Sequence, residues 1–152
     1  MRDDGEPPEE PAPDRAGNAA ATEFAFELDG TSTCIARARR LAAGFLLRMR
    51  TDHGVAVSRR ATDLTQLVVS ELVTNSLKYA PGPVLVNLRI SAGAVEVAVR
   101  DSGPELPGAR AADTGRVGQH GLEIVLAVAR RFEARQETGG KSITVSITLD
   151  DR

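Results

Sequence analysis

Glu71 and Asn75 stand four residues apart in ELVTNSLKYA, at the end of a segment that otherwise reads as a buried helix. At about 100° per residue, Leu67, Val68 and Leu72 lie within roughly 80° of Leu64. Glu71 and Asn75 fall about 20° to either side of Leu64, in the middle of that apolar arc. An unpartnered carboxylate there costs several kcal/mol. Two bland arrangements remain open: a polar pair satisfied inside the core, or a register that turns both residues to solvent. The chemical alternative is that both line a cavity and await a polar ligand. An amide oxygen can sit on Mg²⁺, a hard cation that takes oxygen ligands and completes its shell with phosphates. A partly desolvated carboxylate can position or deprotonate a hydroxyl or a water.

Two further stretches carry chemistry. In VRDSGPELP, Asp101 ends a strand and Gly103 follows two residues later. Glycine there lets a planar ligand approach the backbone, and Asp101 can accept a hydrogen bond from an exocyclic amine. Taken alone, D-S-G-P is also ordinary turn chemistry. In GRVGQHGLEIV, glycines at 115, 118 and 121 lead into an amphipathic helix bearing Leu122, Ile124, Val125 and Val128. Glycine-rich backbone at a helix N-terminus offers free N–H groups and the positive end of the dipole to a phosphate. The G-K-[ST] ending of a P-loop is absent, and taken alone the stretch also reads as a flexible linker.

These residues need a scaffold, and hydrophobic periodicity supplies one. TEFAFEL (22–28) alternates as a strand. Cys34–Arg50 carries apolar residues at helical spacing with arginines opposite, and TDHGVAVS breaks it, with His53 as a loop residue. Arg59–Ala80 is a second helix, with Ser58 or Thr62 near its start and a stop at Pro81-Gly82-Pro83. Val69, Val73 and Leu77 fall opposite its apolar arc, which predicts cover on more than one side. Val84–Ile90 and Val95–Arg100 read as a hairpin around Ser91-Ala92-Gly93. Residues 101–120 are loop-like, Gly121–Arg131 forms a third helix, and Glu133–Glu137 with Ser142–Leu149 makes a last pair of strands. The order β-α-α-β-β-α-β-β predicts an α+β two-layer sandwich, a mostly antiparallel mixed sheet with helices on one face.

Bulk properties narrow the classes. The chain has 152 residues and a formal net charge of −2, enough for one domain and without a basic footprint for nucleic acid. Aromatics make up only 3%, so Val, Ile, Leu and Ala must fill the core. Residues 1–21 are rich in Pro, Glu, Asp and Ala and read as a disordered tail, which leaves 22–150 as the domain. No apolar run reaches the roughly 18 residues of a membrane span, and the N-terminus lacks a signal-peptide core. The single Cys34 excludes an internal disulfide, fits a reducing cytosol, and reads as a buried thiol.

In this order, ELVTNSLKYA, VRDSGPELP and GQHGLEIVLAVA, with GGKSITVSITL ending the domain, resemble the N, G1 and G2 boxes of the GHKL (Bergerat-fold) ATPase superfamily. Within it the likeness is to small bacterial proteins related to anti-sigma-factor serine/threonine kinases. The resemblance implies ATP and Mg²⁺ as cofactors. Asn75 would coordinate the Mg²⁺ and Glu71 would be the general base. Asp101 would bind the adenine amino group, with Gly103 permitting the approach, and Ser142 would join Asp101 through water. Residues 104–119 would form a lid, and Gly118, Gln119, His120, Gly121 and Leu122 would cradle the phosphates. Lys78 would lend charge to a phosphate. The expected activity is phosphorylation of an anti-sigma-factor antagonist combined with sequestration of a sigma factor, in the cytoplasm, with no direct nucleic-acid or membrane contact. A homodimer is also implied. The alternative is a non-catalytic, nucleotide-gated protein-binding module. The sequence departs from the superfamily pattern at Glu105, at Tyr79, and where Gly140-Lys141-Ser142 replaces the usual Gly-Thr pair.

Overall fold

Strict alternation makes the central strands two-faced. Val84, Val86 and Leu88 are fully buried, as are Val95 and Val97, while Leu85, Arg89 and Arg100 of the same strands face solvent. The computed structural model describes residues 22–31, 33–80, 82–103 and 117–150, with backbone alone for Tyr79 and 117–120. The expected tail at 1–21 and most of the expected lid, 104–116, lie outside the described residues.

Among the described residues, eight elements follow in the expected order. They are β1 (Glu23–Leu28), α1 (Cys34–His53), α2 (Arg59–Tyr79), β2 (Val84–Ser91), β3 (Ala94–Asp101), α3 (Val117–Val128), β4 (Arg131–Glu137) and β5 (Gly140–Thr148). The strands form one sheet in the order β1-β2-β3-β5-β4, and all four pairings are antiparallel. One cross-strand row runs Phe26, Val86, Val99, Ile143 and Ala134. Two residues further along β3 and β5, the same face presents Asp101 opposite Lys141. Among the described residues no helix is long and apolar enough to cross a membrane.

Helix α2 lies at the centre of the helical layer. It packs against α1, α3 and strands β2, β3 and β5. That is why Val68 and Leu72 and also Val69 and Val73 are fully buried. Helix α1 buries Ala38, Ala42, Phe45, Leu46 and Met49 and keeps its arginines outside. Phe24 of β1 stacks on Phe45 at 6.2 Å, which ties the edge strand to α1.

Several boundaries differ from the periodicity. α1 continues to His53, because Gly54 at φ 65° caps it and returns its N–H to the Met49 carbonyl. His53 is thus an exposed residue of the last helical turn, where a basic side chain suits the negative end of the dipole. α3 spans Val117–Val128 rather than 121–131, so Gly118, which fell in the loop-like stretch, is helical. β4 begins at Arg131, two residues earlier than alternation suggests.

Candidate functional site

Ser58, with extended backbone, starts α2 by accepting the Ala61 N–H on its side chain at 3.0 Å. From that cap the helix runs without interruption to Tyr79 and carries Glu71 and Asn75 one turn apart. Asn75 is 4% exposed, and among the described residues neither its Oδ1 nor its Nδ2 has a hydrogen-bond partner. Buried amides are nearly always satisfied, so an orphan of this kind calls for an explanation. The adjacent Ser76 hydroxyl, fully buried, also has no partner among the described residues. Glu71 is half-buried. Of the two bland arrangements, exposure fails for Asn75 because it is buried, and internal satisfaction fails among the described residues because its amide has no partner there. An amide oxygen held in this way fits a Mg²⁺ ligand.

Gly121 of α3 touches Glu71: a side-chain carbon placed on it would run into Glu71 Oε1. This changes the role expected for that glycine. With α3 starting at Val117, the backbone N–H groups of Gly121 and Leu122 fall beyond the first turn, where the helix itself uses them. They are therefore not free phosphate donors. Gly121 instead lets α3 lie against the Glu71 carboxylate. Gly118, Gln119 and His120 occupy the first turn of α3, and the roles expected of their side chains lie outside the described residues. Lys78 is exposed on the last turn of α2.

At the other end of the site, the Asp101 side chain is 2% exposed. Its Oδ1 accepts the Gly103 N–H at 2.8 Å and the Lys141 ammonium at 2.8 Å. Lys141 is as buried as its partner, at 1%. The open side of Gly103 faces Lys141 Nζ, Ala80 Cβ and Asp101 Oδ1, so the protein's own groups stand where a flat ligand was expected. Gly140 is required here as well, since a side-chain carbon on it would strike the Asp101 carbonyl oxygen.

Ser142 does not join Asp101. It pairs in register with Arg100, on the opposite face of the sheet. There its hydroxyl donates to Glu137 Oε2 at 3.2 Å, while Arg100 Nε meets Glu137 Oε1 at 3.0 Å. Alternation along β5 explains the swap. Ile143, Val145 and Ile147 face the core, so Lys141 shares their side and Ser142 does not. The residue pattern of KSITVSI carries the same alternation. A hollow of about 200 Å³ lined by Arg100, Ser102 and Glu137–Gly140 also borders Asp101. Arg100 and Glu137 on its wall belong to the solvent face, so it is separate from the face that carries the Asp101 carboxylate.

The two ends connect through α2. Ala80, which abuts Gly103, follows Asn75 by five residues, about 7–8 Å along the helix axis. A carboxylate–amide pair and a carboxylate–ammonium pair thus bracket one end of the helical layer.

The sequence matches the histidine kinase-like ATPase domain family over residues 31–147. Comparison with curated proteins gives no match. Among solved structures, the chain is similar to the histidine kinase domain from Erythrobacter litoralis EL346 blue-light activated histidine kinase, at 24% identity and a TM-score of 0.44, covering 59% of this chain and 48% of that one. It is also similar to Acinetobacter baumannii histidine kinase AdeS, at 13% identity and a TM-score of 0.49, over 84% of this chain and 68% of that one. The cytoplasmic segment of histidine kinase QseC matches at 18% identity and a TM-score of 0.40, over 83% of this chain and 79% of that one. The chain therefore spans about half the length of the first of these.

Proposed function

Because the chain belongs to the histidine kinase-like ATPase domain family of the GHKL superfamily, we propose that it is an ATP-binding regulatory protein that phosphorylates a serine or threonine of an anti-sigma-factor antagonist and sequesters a sigma factor. Family membership supports the ATP-binding regulatory role. The observation that carries the site is the buried, unpartnered Asn75 amide one turn from the half-buried Glu71.

Asn75 Oδ1 would hold Mg²⁺, and Asp101 would bind the base. ATP with Mg²⁺, when bound, supplies an activated γ-phosphoryl group. Glu71 takes the proton of the attacking hydroxyl as the new oxygen–phosphorus bond forms and the bond to ADP breaks. Catalysis of this kind rests on positioning and charge placement. α3 positions the base, because Gly121 lies against its carboxylate. The setting proposed is the cytoplasm, with a homodimer as the working assembly.

The test is transfer of labelled γ-phosphate from ATP to an antagonist protein, with Glu71→Gln and Asn75→Ala beside the wild type. Glu71→Gln should abolish transfer and retain nucleotide binding, whereas Asn75→Ala should lose both. Wild-type protein that binds ATP but labels no antagonist would leave a nucleotide-gated binding module, in which ATP changes partner affinity without chemistry.

A further inference from the structure

Lys141 is a buried cation that the proposed reaction does not use. Its Nζ lies 2.8 Å from Asp101 Oδ1 with both side chains sealed from solvent. It also lies 2.8 Å from where a Gly103 side-chain carbon would stand, so the glycine leaves the ammonium its place against the backbone. A buried ion pair is not favoured over apolar residues of equal volume for stability alone. Ile143, Val145 and Ile147, on the same face of the same strand, show how an apolar filling would look. A charged pair in such a place, beside Gly103, whose missing side chain gives the ammonium room, is better explained by recognition.

The chemistry of the pair specifies its ligand. A carboxylate only accepts hydrogen bonds and an ammonium only donates them, through three N–H groups. One N–H reaches Asp101, so the ammonium can hold Asp101 and a second acceptor together. Side by side, the two groups match a heterocycle edge on which an amino group adjoins an unprotonated ring nitrogen. Adenine has this edge on both sides of its amino group.

Resting on the nucleotide-binding reading above, we propose that Lys141 determines base specificity. While Asp101 accepts the adenine amino hydrogen, the Lys141 ammonium donates directly to a flanking ring nitrogen, N1 or N7. Titration calorimetry of the full chain with Mg²⁺ tests this with ATP, 1-deaza-ATP and 7-deaza-ATP, each analogue replacing one ring nitrogen by CH. The wild type should bind one analogue about tenfold or more weakly than ATP, the loss expected for a charge-assisted hydrogen bond. Lys141→Thr should bind ATP and that analogue alike, and Lys141→Arg should keep part of the discrimination. If the threonine variant does not fold, the wild type and the arginine variant still decide. Equal binding of all three nucleotides by the wild type overturns the proposal and leaves nucleotide binding standing. Equal discrimination by wild type and Lys141→Thr overturns it too, since the nitrogen then bonds elsewhere. Wild-type protein that binds no nucleotide removes this proposal and the functional one together.

Discussion

Replacing Asn75 by leucine should stabilise the empty protein and abolish its response to nucleotide. The two side chains share a branched shape, so the change exchanges polar atoms for methyls. Two amide atoms of Asn75 are buried without partners. Each unsatisfied group costs about 1–3 kcal/mol, so relieving both returns roughly 2–4 kcal/mol if the lower half of that range applies. Leucine is the larger residue, and fitting it into a packed site costs about 1–3 kcal/mol. The net is a gain of about 1 kcal/mol, or roughly 3–5 °C in Tm for a domain of this size. An ordinary buried substitution goes the other way, by about 1 kcal/mol, so the sign of the shift is diagnostic. Calorimetric melting with and without ATP–Mg²⁺ reads both effects. Wild-type protein should gain about 2.7 kcal/mol at a ligand concentration of 100 Kd, and the leucine variant nothing. A variant that melts below the wild type and still rises with ATP–Mg²⁺ would refute the reasoning: the amide would be a structural residue, and the ligand would bind without it.

Other perturbations probe the remaining contacts. Gly121→Ala removes a helix-interior glycine, a gain of up to about 1 kcal/mol, but forces the Glu71 carboxylate aside. Phosphoryl transfer should fall tenfold or more at unchanged or higher Tm, and transfer at the wild-type rate would show that Glu71 need not lie against α3. Gly140→Ala drives a carbon into the Asp101 carbonyl oxygen, a backbone atom that cannot swing away. Urea unfolding should show a loss near the top of the overpacking range, about 3 kcal/mol, and a neutral result would mean that β3 and β5 are not so closely apposed. Cys34 is buried, and desolvation pushes its thiol up from the ordinary value. It should react slowly with a thiol reagent near neutral pH in native protein and fully in guanidinium. Rapid native reaction would contradict its burial.

Most of the architecture is legible locally. A strand declares itself through alternation and a helix through a period of 3.6, and both are written within a few residues. That is why TEFAFEL, the hairpin at 91–93 and the Ser58 cap could be read, and why Glu71 and Asn75 could be placed among apolar side chains. The span of α3 could not be read this way. Gly118 argues for loop by local propensity, and packing of the helix on α2 overrides it. Recognition of Glu71, Asn75 and Asp101 came from residue types at a spacing. Their partners depend on register between strands distant in sequence. Lys141 is forty residues from Asp101 and reaches it because β5 lies antiparallel beside β3. A slip of one residue would send Lys141 to solvent and bring Ser142 to Asp101. The sequence by itself determined the elements, the two-layer class and an oily helix bearing a carboxylate and an amide. Only the tertiary structure decided that the amide is left without a partner, that Gly121 lies on the carboxylate, and that a buried ammonium occupies the far end, because each depends on which surfaces the assembled layers press together.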